Sequence, residues 1–190
     1  MGLDMYAARR LYVKNWEHLK PEDRHTVQIA RGGKPVSGID PERISVVEEE
    51  VMYWRKANHI HGWFVDNVMD DGDQNDGRSY LVEEAHLRAL AVVCDHVVKD
   101  SKLVKGTVYA GTVYDKEHPG GLALREAGRV IEDAAVAKNL LPRREGPFFG
   151  YYEYDEEYLN DVIDTQGWAV RMLADRKAGV PGEIYYSSSW

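Results

Sequence analysis

The sequence predicts an α+β domain: a small, mainly antiparallel sheet packed against a long central helix and two or three further helices. Two observations predict it. GLDMYAARRLYV (Gly2 to Val13) and EIYYSSSW (Glu183 to Trp190) alternate apolar and polar side chains, the period of a strand with one buried face. Between them, long segments repeat apolar residues at steps of three and four, the period of an amphipathic helix.

In the first strand Leu3, Met5, Ala7, Leu11 and Val13 fall on one side, and Asp4, Tyr6, Ala8, Arg10 and Tyr12 on the other. HTVQIARGGK reads as a second strand that ends in a turn at Gly32 and Gly33, since two glycines without the rest of a phosphate-loop pattern make only a turn. Pro41 to Met69 reads as one long helix, capped by Asp40 with Pro41 at its first position. Ile44, Val47, Val51, Trp54, Asn58, His61, Val65 and Val68 share its inward face, and Glu48, Glu49 and Glu50 belong to a solvated one. Asn58 and His61 interrupt the apolar stripe among the rings of Trp54, Trp63 and Phe64. A buried amide and imidazole require partners, so they either form a structural network or line a pocket.

The next stretch, DDGDQNDGRSYLVEE, sets Asp71, Asp73 and Asn75 at the spacing of an EF-hand loop. Gly77 and Glu83 each fall one position late, which predicts a solvated acidic turn followed by a short strand, SYLV. Glu83 to Lys99 reads as a helix with Leu87, Leu90, Ala91 and Cys94 inward. Residues 103–142 read as an elaboration inserted in a single domain spanning 1–190. Within it KGTVYAG and TVYDK are β-prone and form a hairpin that reaches a neighbouring subunit or covers a site, and ALREAGRVIEDAAVAKNLLP is a helix ended by Pro142.

PFFGYYEYD concentrates Phe148, Phe149, Tyr151, Tyr152 and Tyr154, as core, subunit contact or a stacking wall for a planar ligand. Asp155 caps a helix over Glu156 to Lys177 with Leu159, Val162, Ile163, Ala169, Val170 and Leu173 inward and a weak point at Gly167. Trp190 is expected to pack back on the sheet.

Composition narrows the function classes. A net charge of −8 on 190 residues argues against a large nucleic-acid footprint, which needs a basic patch to release counterions. No apolar run approaches the roughly 18–20 residues that span a bilayer. The start lacks the features of a signal peptide, and Tyr6 stands where a myristoylation motif requires Ser or Thr. A soluble cytoplasmic protein without membrane partner, cofactor or metal is expected. The lone Cys94, in LRALAVVCDHVV, is expected to be a buried, inert thiol.

MGLDMY, VKNW at Val13 to Trp16, PERI, EEVMYWRKANHIHGWFVDNV, PFFGYYEYDEEYL and the closing YYSSSW together resemble a family of small proteins of unknown function encoded by tailed bacteriophages and prophages. The resemblance covers most of the chain except about residues 100–142. It implies a phage accessory protein made in the host bacterial cytoplasm, with counter-defence or host takeover as its work, and it transfers no active-site residue.

Three readings compete. In the first, the protein sequesters a small anionic, nucleotide-derived signalling molecule: Trp54, Tyr152 and Tyr154 stack on a base, Arg55 pairs with phosphate, Asn58 and His61 read polar edges, and Tyr6 and Trp190 are neighbours across the sheet. In the second, His59, His61 and Asp66 suggest a metal-dependent phosphoesterase, although residues two apart on a helix point about 200° from each other and cannot share a metal there. In the third, acidic surface blocks a host defence protein by direct contact. The aromatic excess and the inserted segment predict a homo-oligomer.

Overall fold

The computed structural model describes residues 2–73, 77–146, 148–150 and 153–190. β1 (Asp4–Tyr12) follows the predicted alternation, with Leu3, Met5 and Ala7 fully buried and Leu11 half-buried. The Gly32–Gly33 turn, both glycines at positive φ (57° and 76°), joins two very short strands, β2 (Ala30–Arg31) and β3 (Lys34–Pro35). β4 (Val46–Arg55) and α1 (Asn58–Asn67) come next, then β5 (Tyr80–Val82) and α2 (Glu84–Asp100). β6 (Leu103–Val113) and β7 (Leu122–Ile131) form a long hairpin, followed by α3 (Ala135–Leu140), α4 (Glu156–Lys177) and β8 (Glu183–Ser189).

The fold is α+β. Its main sheet has four antiparallel strands in the order β4-β1-β8-β5, so β8 lies between β1 and β5. One face of this sheet meets the helices: Trp54 of β4 stands edge-on to Phe64 of α1 and Trp168 of α4, and Phe64 stacks on Tyr186 of β8 at 3.9 Å between ring centroids. Leu87, Leu90, Cys94 and Val97 of α2 complete the core with Val162, Ala169 and Met172 of α4. Burial pushes the Cys94 thiol up to about 12. Among the described residues, no helix is long and apolar enough to cross a membrane.

Three predicted elements differ. Residues 41–69 are not one helix: Asp40 caps a single 3₁₀ turn at Pro41–Arg43, β4 follows, and only Asn58–Asn67 is α-helical. The break is at Lys56, whose φ of 59° lies in the left-handed region and whose backbone N–H donates to Leu3 O at 2.8 Å. No Gly or Pro marks it, because Leu3, the residue just ahead of β1, captures the turn through that hydrogen bond. The long helix is therefore α4, and Glu48 and Glu49 lie on a strand, directly opposite Arg10 and Arg9 of β1 and ion-paired with them.

Residues 122–131 form β7, not a helix; their leucine, alanine, arginine and glutamate favour helix, but pairing with the valine-, threonine- and tyrosine-rich β6 overrides propensity. Gly106 pairs with Gly128 in that ladder, and a Cβ on Gly128 would stand 2.6 Å from the Val108 side chain. Finally, α4 starts at the Asp155 cap, whose carboxylate accepts from Tyr158 N, and runs unbroken through Gly167. Its buried face carries Tyr158, Thr165 and Trp168, while Ile163 and Val170 are exposed. Both depart from the expected inward set by one step around the helix.

Candidate functional site

Only Lys56 and Ala57 separate β4 from α1, so the first turn of α1 stays close to the sheet, and Asn58, His59 and His61 are all buried. Each is occupied differently. Asn58 Nδ2 donates to Phe149 O at 3.0 Å, and its Oδ1 accepts from Arg144 N at 3.3 Å, which pins the loop 143–149 against the helix.

His61 sits in a chain of three. Its Nε2 is 3.0 Å from Asp73 Oδ1 and its Nδ1 2.7 Å from the Tyr186 hydroxyl. A carboxylate only accepts, so Nε2–H donates to Asp73, and Nδ1 accepts from Tyr186. Burial lowers the His61 pKa against the opposing pull of Asp73, and burial raises that of Tyr186 well above its ordinary value. Trp190 and Phe149 close the ring from the sides, each edge-on at 5.3–5.5 Å.

His59 points the other way, as the helical spacing requires, and lies over Tyr158 at 4.2 Å between centroids. Its Nδ1 is 3.2 Å from Arg143 Nη1. Arg143 is itself almost enclosed: Nε and Nη2 donate to Glu153 O at 3.0 and 2.8 Å, and the guanidinium lies 5.0 Å over the Tyr158 ring. Burial, then the Arg143 charge, holds the His59 pKa well below its ordinary value.

Two clefts flank Arg143. One, of about 420 Å³, is lined by Arg55, Lys56, Arg143, Glu157, Asn160 and Asp161. Three cations and two carboxyls converge there, but burial pushes the Asp161 carboxyl up to about 7 against the attraction of Arg143. Near pH 7 the Asp161 carboxyl is thus about half protonated, which lessens the negative charge it brings to the cleft. The other cleft, of about 290 Å³, lies between α1 and α3 and is lined by His59, Gly62, Trp63, Asn67, Asn139 and Arg144 among others.

The structure scatters the sequence-predicted site. Arg55 lines the cationic cleft. Trp54 is core, its indole N–H donating to Thr165 Oγ1 at 2.8 Å, so it offers no open face for stacking. Asn58 and His61 belong to the buried networks just described. Tyr154 packs on Tyr158 at 4.9 Å and its hydroxyl accepts from Arg143 N at 3.1 Å, behind the clefts. Tyr6 lies on the open face of the sheet beside Tyr53 at 5.2 Å. Trp190 packs on His61. Tyr151, Tyr152 and Asn75 lie outside the described residues. Asp73, weighed for calcium, is engaged by His61 and, at 3.6 Å, by Arg144.

Sequence reasoning missed Lys56, Arg143, Arg144, Asn160 and Asp161. The arginine pair after Pro142 is a signal that was there to read; nothing local marks Asp161. Among the described residues, no three His, Cys, Asp or Glu side chains gather where they could hold a metal ion. Compared with known proteins, the chain matches no family model, no curated protein and no solved structure.

Proposed function

We propose that the protein binds and sequesters a small anionic, nucleotide-derived molecule, and that it does so as a phage accessory protein in the host bacterial cytoplasm. The observation that carries the anion is the cleft of about 420 Å³ where Arg55, Lys56 and Arg143 converge against α4. A phosphate group fits it: Arg55 supplies a planar fork of donors, Arg143 a fixed positive field from below, and Asn160 an amide. A protonated Asp161 adds a donor instead of a repelling charge. The setting and the signalling role rest on the resemblance of the MGLDMY, YWRKANHIH and YYSSSW segments to phage proteins.

A second reading is favoured by Asp161 alone. A carboxyl poised near 7 beside cations is what a general acid requires at neutral pH, so hydrolysis of the captured phosphoester is the alternative. Mass spectrometry of small molecules released by heat from protein purified out of bacteria with active nucleotide signalling separates the two. An intact stoichiometric nucleotide supports sequestration; a cleaved product that accumulates with time moves hydrolysis to the front; release of neither from several signalling backgrounds overturns both.

A further inference from the structure

The two edges of the main sheet are unequal. β5 presents three residues, whereas β4 presents ten and, among the described residues, pairs with β1 alone. Val46 to Glu50 are all exposed, so that half of the edge is uncovered. A long open edge is a template for another strand.

The ladder with β1 tells which backbone groups face outward. Val13 N–H donates to Ser45 O at 2.9 Å at one end, and Lys56 N–H to Leu3 O at 2.8 Å at the other. Hydrogen-bonded pairs alternate along an antiparallel ladder. Counted from Ser45, the backbone groups of Val47 and Glu49 therefore turn toward β1; counted back from Lys56, those of Trp54 and Met52 do. The two counts are out of step by one residue because β4 carries a bulge: Ala7 lies opposite Met52 and Ala8 opposite Glu50, which leaves Val51 extra. The outer edge thus offers Glu48 and Glu50, then Tyr53 and Arg55, at steps of two, three and two.

A regular strand offers its outward groups at every second residue, so it matches this edge on one side of the bulge only. A strand with the same step of three matches both sides, and β4 of another copy, run antiparallel, has it. Glu48 then lies opposite Arg55 of the second copy and Glu50 opposite Tyr53, bulge faces bulge, and the two-fold axis repeats both pairs. Charge selects the same register. Glu48 and Arg55 stand on the open face of the sheet, opposite Arg10 and Asp4 of β1, and Glu48 already pairs with Arg10 at 2.5 Å. Across the joined strands one row runs Arg10, Glu48, then Arg55 and Asp4 of the second copy, with the sign alternating at every step. Parallel pairing would instead set Glu48 and Glu50 against their own copies. We infer that β4 is a self-pairing edge, which joins two copies of this chain across a two-fold axis into one continuous antiparallel sheet.

The interface includes Arg55, but the inference does not rest on what the cationic cleft binds. Sedimentation equilibrium of the full chain tests it, alongside Glu48→Arg, Arg55→Glu and Glu50→Pro, each checked for an unchanged circular-dichroism spectrum. One edge buries little surface, so the natural chain is expected to pass from monomer to dimer over the micromolar range. Glu48→Arg sets arginine against arginine at both symmetric pairs, and Arg55→Glu sets glutamate against glutamate. Each alone is expected to dimerise at least about tenfold more weakly. Mixed in equal amounts, the two meet opposite charges at both pairs, and dimers are expected to return. Glu50→Pro removes an N–H on the open side of an edge strand, where proline is tolerated, and is expected to stay monomeric. Should a charge variant fail to fold, Glu50→Pro decides alone. The inference is overturned by a natural chain that stays monomeric at millimolar concentration, or by charge variants that dimerise as it does. A mixture that stays monomeric overturns it too, and so does a dimer that Glu50→Pro leaves unchanged, since that dimer is built elsewhere.

Discussion

The guanidinium of Arg143 is held between Glu153 O, which accepts two of its donors, and His59 Nδ1, which accepts a third. One buried cation therefore fixes the approach to α4, the tautomer of His59 and the floor between two clefts. Arg143→Met leaves those acceptors unpaired and is expected to lower stability by about 2–4 kcal/mol. Arg143→Lys, a point charge without the fork, is expected to recover less than half. Urea denaturation of both variants checks this, and a change below about 0.5 kcal/mol in Arg143→Met contradicts the arrangement.

Arg55 and His61 separate a ligand contact from a core network. Arg55 is exposed, so Arg55→Ala is expected to leave stability within about 0.5 kcal/mol while weakening anion binding by roughly 10- to 100-fold. His61→Ala leaves the Tyr186 hydroxyl without its acceptor and opens a cavity, at a cost of about 2–4 kcal/mol. Calorimetry of binding and denaturant midpoints are the two measurements, and stable His61→Ala protein that has lost the ligand would put His61 back in a pocket.

Asp161 makes a pH prediction with a definite sign. Its folded pKa, about 7, lies above its ordinary 3.8, so the native state binds the extra proton and this contribution is lost as pH rises through 7. Asp161→Asn has no such loss. The variant and the natural protein should melt together near pH 4, with the variant increasingly the more stable up to pH 8. In the natural protein, anion affinity should fall over the same rise, since the proton that leaves Asp161 adds a negative charge to the cleft.

The two histidines work in the opposite direction. Their folded pKa values lie below the ordinary 6.5, so the unfolded chain binds more protons and stability is lost as pH falls through 6.5 towards the folded values. The effect is cleanest in the Asp161→Asn background, where melting temperature should fall steadily between pH 7 and pH 5. A flat profile there would mean that the two rings are solvated.

The fold class was legible because β1, β8, α2 and α4 each keep one period from end to end and carry their own signals, such as the Asp155 cap. What failed was a segment that changes period without a break residue. Val47, Val51 and Trp54 recur at helical steps by coincidence, and the strand ends at Lys56 because β1 holds it there, which is tertiary information. In the same way β7 is a strand only because β6 is beside it. The buried polar cluster at Asn58 and His61 could be read from the stripe it interrupts, and so could its two alternatives, network or pocket. The clefts could not, because Arg55, Arg143 and Asp161 are brought together from three distant stretches, and the Asp161 pKa is a property of the burial that results.

The strand order also sets a timetable for the chain as it is made. β1 and β4 are nearby in sequence and can zip into a ribbon early. β5 ends at Val82, yet its neighbour in the sheet is β8, which begins at Glu183. At ribosomal rates that is a wait of roughly 5–20 s, during which Tyr80, Val82 and the apolar side of β1 have no cover. The closing of the sheet therefore waits for β8, and a nascent chain stalled anywhere in the β6–β7 hairpin is predicted to be a client of holding chaperones.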